Sequence, residues 1–173
     1  MLTVLSLPSP FGPLRLVGTD AGLTHLLFPG QAPPEGAAER ESPLLRQAAL
    51  ELEEYFNRMR IRFTVPLCPT GSPFQLAVWS ALQDIPYGQT ASYRDIAVRI
   101  GRPAAARAVG QANGANPLPI FIPCHRVIAS DGSLGGYAFG LEVKRALLKL
   151  EGAPLSGKLI LVSETRQTIA GEL

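Results

Sequence analysis

Cysteine is scarce in this chain of 173 residues, which holds only Cys68 and Cys124. That inventory excludes a disulfide scaffold and a cysteine-rich zinc site, and it fits a reducing compartment. A single bridge between the two stays open on sequence alone, although it would consume the one thiol whose neighbours give it a chemical setting. Charge is sparse as well, at 17% against 46% hydrophobic residues, so the composition is that of a globular chain and not of a disordered one. No apolar run approaches the length of a membrane span. The opening MLTVLSLPSPFG lacks the basic start, apolar centre and small-residue cleavage site of a secretion signal, which makes a cytoplasmic protein the expectation. Internal repeats are missing too.

What charge there is lies unevenly. Residues 1–72 carry a net −1, residues 73–151 a net +3, and residues 152–173 are neutral. A basic middle suits a polyanionic partner, and it equally suits an ordinary solvated surface. Residues 2–7, 14–17 and 23–28 are short apolar and polar alternations separated by Pro8, Pro10, Gly12, Pro13 and the DAG turn at 20–22. These predict hairpin strands. From 43 to 58, Leu44, Leu45, Ala48, Leu52, Tyr55 and Phe56 recur at helical spacing, which predicts an amphipathic helix on that sheet. IRFTVPL at 61–67 reads as a further strand, and CPTGSP after it as a domain boundary between Pro66 and Pro73.

The second half begins as helices. Phe74, Val78, Trp79, Leu82 and Ile85 share one face, and Pro86-Tyr87-Gly88 ends that helix. Residues 90–113 have helix-turn-helix spacing: a Thr or Ser cap, apolar Ile96, Ala97 and Ile100, a stop at Gly101, and a second helix opening at Pro103. In that second helix Ala104, Ala105, Ala106, Ala108, Gly110 and Ala112 leave little bulk, and Arg107 and Gln111 are its only long side chains. A helix this thin suits a groove as narrow as the DNA minor groove, about 6 Å. Tight packing in a core would use the same composition.

Asn116-Pro117-Leu118-Pro119 is expected to be extended, and Ile120-Phe121-Ile122 to be buried. Cys124, His125 and Arg126 follow. An isolated cysteine after an apolar run is commonly an inert buried residue. Here His and Arg charge is available next to it, and such charge lowers a thiol pKa toward an activated, accessible anion. Adjacent side chains on an extended strand point apart, so a working Cys and His pair needs a bend or a bridging water.

At this point PCHRV, preceded by RAVGQANGANPLPIFI and followed by IASDGSLGGYAFGLEVKRALLKLEG, closely resembles the O6-alkylguanine-DNA alkyltransferase family. The resemblance begins at GSPFQLAVWSALQDIPYGQTASYRDIA and runs with consistent spacing to Gly152, while the first 70 residues match in general plan only. It implies an α+β protein: an N-terminal, ribonuclease H-like α/β roll over 1–70, a helical, winged-helix-like domain with a helix-turn-helix over 71–152, and a tail over 153–173. It implies direct-reversal repair of double-stranded DNA by a monomer that acts once, moving the alkyl group of O6-alkylguanine irreversibly to Cys124. His125 would deprotonate the thiol through a water, and Glu151 would orient the His. Tyr93 would donate to guanine N3, and Arg107 would fill the gap left by the extruded nucleotide, because the O6 carbon cannot be reached in line inside the stack. Thr90, Ser92, Ala106 and Gln111 would face DNA. Asn116 would brace the recognition helix as a hinge, and Pro119, Val127, Ser130, Tyr137 and Phe139 would wall the base pocket.

No cofactor or metal is called for, since the substrate carries the group that moves. The family often has Gly where this chain has Phe139, so a narrowed pocket that accepts O6-methylguanine and disfavours O6-benzylguanine is expected. Taken alone, Glu151 before Gly152 is also an ordinary solvated helix end, Asn116 an ordinary Asx-Pro turn, and Phe139 a core residue. His25 and Cys68 read as incidental. Two rival functions are a helix-turn-helix regulator or alkyltransferase-like lesion sensor, and a cysteine hydrolase. Sensors of that type replace the cysteine, usually with Trp, and a hydrolase would need an oxyanion hole and leave the bare helix without a purpose.

Overall fold

The computed structural model describes residues 1–155, and the expected strand KLILV at 158–162 lies outside them. The chain forms two compact units. One is Met1–Ser72 joined by Pro117–Phe121, and the other is Pro73–Asn116 with the chain from Ile122 onward.

In the first unit β1 (Thr3–Leu7), β2 (Leu14–Thr19), β3 (Gly22–Leu27) and β4 (Ala38–Glu39) make one sheet in the order β3-β2-β1-β4. The hairpin alternation at 2–7, 14–17 and 23–28 is realised as two antiparallel pairings. The two-residue β4 instead joins β1 in parallel, after a Pro- and Gly-containing connection has brought the chain back across. Helix α1 (Pro43–Phe56) starts at Ser42, whose hydroxyl accepts from the Leu45 amide. Pro43 occupies the first turn, where no N–H is needed. Its buried stripe of Leu45, Ala48, Leu52 and Tyr55 lies over β1, β2 and β3. Burying each large apolar side chain of that stripe contributes roughly 1.5–3 kcal/mol.

Residues 61–67 are not the expected strand. Glu51, buried on α1, takes the donors that a neighbouring strand would have received: the Thr64 amide donates to both carboxylate oxygens at 3.1 Å and the Val65 amide to one at 3.1 Å. The Thr64 hydroxyl also donates to Glu51. Pro66 has no N–H, but its carbonyl accepts from Leu23 at 2.9 Å, and the Cys68 amide donates to the Leu23 carbonyl at 2.6 Å. The Leu26 amide on the same strand donates to Pro117 at 2.9 Å.

The second unit holds α2 (Pro73–Gln83), β5 (Ala91–Ser92), α3 (Tyr93–Arg99), α4 (Ala106–Gly114), a single 3-10 turn (Cys124–Arg126), β6 (Val127–Ile128) and α5 (Leu141–Leu150). Ser92 caps α3 in a capping box with Asp95, and Gly101 at φ +76° follows its last turn. The second helix of the pair opens later than the sequence implies: residues 103–105 are a turn, and α4 begins at Ala106. Trp79 ties α2 to α4 by donating its indole N–H to the Ala112 carbonyl at 2.8 Å. The parallel pairing of β5 with β6, Ala91 to Val127 and Ser92 to Ile128, holds the start of α3 against the end of the 3-10 turn. Among the described residues, no helix is long and apolar enough to cross a membrane.

Glu51→Ala leaves the Thr64 and Val65 amides without their acceptor. Each such loss costs about 1–3 kcal/mol, so urea denaturation at pH 7 is expected to show a loss of about 2–4 kcal/mol with α1 still helical by circular dichroism.

Candidate active site

The site is built where the 3-10 turn meets the end of α5. In α5 the positions 144, 147, 148 and 151 share one face, so Lys144, Leu147, Leu148 and Glu151 are all buried. The 3-10 turn bends the chain at Cys124, which supplies the departure from an extended strand that the Cys and His pair requires. Both cysteines are free thiols, and Cys124 is 2% exposed.

His125 is wholly buried and its Nε2 lies 2.7 Å from Glu151 Oε2. The same carboxylate receives Arg126, whose Nε donates to Oε1 at 2.8 Å and whose second guanidinium nitrogen donates to Oε2 at 3.0 Å. Arg126 also donates to the Ile85 carbonyl at 2.6 Å and lies over the Tyr87 ring. Burial alone would push the Glu151 carboxyl up; the His125 contact and the Arg126 guanidinium outweigh it and bring the group down to about 2. Burial pushes the His125 imidazole down, beyond what Glu151 restores. An ionised carboxylate can only accept, so the proton of the neutral imidazole sits on Nε2 and the Nδ1 lone pair is left as a base. Among the described residues, Nδ1 has no hydrogen-bond partner.

The accessible, activated anion that the charged neighbours suggest is not what the resting site holds. Burial pushes the Cys124 thiol up, and hydrogen bonds from Asn116 and Tyr137 with the Lys144 charge oppose this without cancelling it. Arg126 is committed to Glu151 and His125 is neutral, so neither neighbour in sequence supplies the sulfur with positive charge. The resting group is a thiol that needs a base when it reacts.

Asn116 is buried and its amide donates to the Ile122 carbonyl at 2.8 Å as well as serving the sulfur. The Tyr137 hydroxyl lies 4.0 Å from Sγ, and Phe139, half-buried and not part of the core, packs edge-on to Tyr137 at 5.4 Å between centroids. Tyr93 is half-buried and raised in pKa by burial, which keeps it a neutral donor. Its hydroxyl lies against residues 135 and 136: it reaches the Gly136 carbonyl at 3.5 Å, and a Cβ on Gly135, at φ +70°, would stand 2.9 Å from that oxygen. Val127 is buried, Ser130 is exposed, and Pro119 folds with the first unit in Pro117–Phe121. On α4, Arg107 and Gln111 are exposed and Ala106 is half-buried; Thr90 and Ser92 are half-buried, with Ser92 engaged as a cap.

Three residues escaped the sequence reading. Arg126 braces Glu151. Lys144 donates to the carbonyls of Val127 at 2.6 Å and Gly136 at 3.0 Å and to that of Leu134, which gathers residues 127–136 around one ammonium. Burial lowers this lysine to about 8. Asn113 donates to the Cys124 carbonyl at 3.3 Å. For Lys144 and Asn113 the available signal was position: each is polar on a helix stripe that is otherwise apolar.

Comparison with known proteins places the site in context. Residues 73–153 match the model of the 6-O-methylguanine DNA methyltransferase DNA binding domain, and residues 4–69 that of the ribonuclease-like domain. A methylated-DNA–protein-cysteine methyltransferase of Methanosarcina barkeri is 51% identical over 83% of this chain and 92% of its own length. The constitutive one of Bacillus subtilis is 50% identical over 83% and 91%. The crystal structure of Mycobacterium tuberculosis OGT in complex with DNA superposes with a TM-score of 0.82 at 44% identity, covering 89% of this chain and 96% of that one.

Unfolding releases Glu151 to its ordinary value of 4.5 and His125 to 6.5. The unfolded chain therefore binds more protons, and acid favours it. Stability is expected to fall as pH drops below about 6.5, with roughly 3 kcal/mol lost from Glu151 between about 4.5 and 2. Denaturant titrations across pH check this, and Glu151→Gln is expected to flatten the lower part of the curve.

Proposed function

Because the chain belongs to the 6-O-methylguanine DNA methyltransferase family, we propose that it reverses O6-alkylation of guanine in double-stranded DNA by taking the alkyl group onto Cys124. The observation that carries this reading is the neutral His125 beside the buried thiol, its Nε2 proton held by an ionised Glu151 and its Nδ1 lone pair open. The thiol proton passes through a water to Nδ1, the sulfur attacks the alkyl carbon, the S–C bond forms and the bond from carbon to O6 breaks. Glu151 stabilises the imidazolium that results. Tyr93 donates toward N3 and offsets the charge left on the departing guanine.

The lesion reaches the sulfur only if the nucleotide swings out of the duplex, which is the work we assign to α4. Its small residues let it enter the minor groove, and its exposed Arg107 occupies the space vacated in the stack. Thr90, Ser92, Ala106 and Gln111 complete the DNA-facing set. Asn116 links α4 to the active-site turn, and Val127, Ser130, Tyr137 and Phe139 form the base pocket. The thioether has no leaving group that water displaces in this site, so one molecule repairs one lesion and no cofactor takes part. Such a protein acts in the cytoplasm, on chromosomal DNA, where reducing conditions keep the thiol free.

Mixing the protein with methylated duplex is expected to add one methyl to the Cys124 peptide by mass spectrometry. Cys124→Ala is expected to bind the duplex and take nothing. Methyl transfer that continues in that variant, or a wild-type protein that processes many lesions per molecule, contradicts the assignment. The Tyr137–Phe139 pair narrows the space beside the sulfur. Inactivation by O6-benzylguanine is therefore expected to be slower than by O6-methylguanine in DNA, and Phe139→Gly is expected to raise the benzyl rate at least about 10-fold, a change of about 1.4 kcal/mol in barrier.

A further inference from the structure

Two buried acceptors stand without a protein partner among the described residues, and both belong to groups that adjoin Cys124. One is His125 Nδ1 and the other is Asn113 Oδ1. Asn113 is 5% exposed and sits on the inner face of α4 with Val109 and Ala112. Its amide orientation is set by chemistry: the Cys124 carbonyl 3.3 Å away accepts only, so the NH2 points to it and the oxygen must face elsewhere. Leaving a buried acceptor unmade costs about 1–3 kcal/mol, so each of these atoms calls for a donor. Neither has one among the described residues, and a water is the group that brings two donors to one point.

We propose that Asn113 is a positioning residue that holds the relay water between Cys124 and His125. One water hydrogen goes to His125 Nδ1 and the other to Asn113 Oδ1. With both hydrogens committed, the oxygen can only accept, and its lone pair faces the thiol. The thiol proton moves to this oxygen as the hydrogen already pointing at Nδ1 moves to the imidazole, so one water remains and His125 becomes the imidazolium. A buried thiol of raised pKa needs such an aligned acceptor, because no standing thiolate is present to react. This inference rests on Cys124 being the nucleophile and adds to that reading the group that aligns its base.

The test compares Asn113→Leu, which keeps the volume and removes both polar groups, with Asn113→Asp. A buried Asp is protonated; its hydroxyl replaces the donor to Cys124 and its carbonyl keeps the acceptor. The first readout is single-turnover methyl transfer from methylated duplex. The second is the pH profile of carbamidomethylation of the Cys124 peptide by iodoacetamide, which needs no DNA and so separates failure of this inference from failure of the repair reading. Asn113→Leu is expected to slow transfer about 10- to 100-fold and to move the profile up by about one pH unit, with Asn113→Asp within a few-fold of wild type. Equal slowing in both variants, or an unmoved profile in a folded Asn113→Leu protein, overturns the proposal. So does a high-resolution crystal structure of the wild-type protein with no water within hydrogen-bond reach of both Asn113 Oδ1 and His125 Nδ1, a result that does not depend on how the variants fold.

Discussion

One buried carboxylate, Glu151, organises the chemistry of this molecule. Its two oxygens are shared between an imidazole and a guanidinium, each at hydrogen-bond distance. An unpaired buried anion would cost several kcal/mol, and Arg126 removes that cost without asking His125 to become charged. The division has a chemical result. Glu151 stays ionised, His125 keeps its proton on the far nitrogen, and the near nitrogen is free to act as a base. A carboxylate paired with His125 alone would favour an imidazolium at rest, which has no lone pair to offer.

Around this centre the second unit is held by polar groups placed inside apolar surfaces. Lys144 gathers three carbonyls of residues 127–136, Asn116 and Asn113 secure the turn that carries Cys124, and Trp79 ties α2 to α4. Buried polar networks of this kind fix geometry more than they add stability. Transfer of an alkyl group needs such geometry, since reacting atoms must approach in line and a displacement of an ångström is costly in rate.

Much of this was legible in the sequence. The period-2 runs gave β1, β2 and β3, the 3.6-residue spacing gave α1 and α2, and the family resemblance implied a link between His125 and Glu151, which lie in hydrogen-bond contact. What was not legible depended on where side chains reach. The β-rich composition of residues 61–67 implied a strand, because nothing local shows that Glu51, ten or more positions away, takes their amides. The neighbours of Cys124 implied a low thiol pKa, because sequence shows the presence of Arg126 and not its commitment to Glu151. Lys144, Asn113 and Glu151 each occupy an i, i+3, i+4 stripe of apolar residues. A polar residue on such a stripe is a readable sign of a buried partner, although the partner itself is not readable.

The arrangement that displaced the expected strand has a consequence for solubility. In the order β3-β2-β1-β4 the two outermost strands are the places where another chain could add by backbone pairing, the usual start of aggregation. On one side β4 offers two residues, too few to template a ladder. On the other, Pro66 and Cys68 occupy Leu23, and Pro117 occupies the Leu26 amide, so parts of that margin are already taken by irregular chain rich in proline. Both margins of the sheet are thereby shortened as templates for strand addition, without the sheet closing into a barrel.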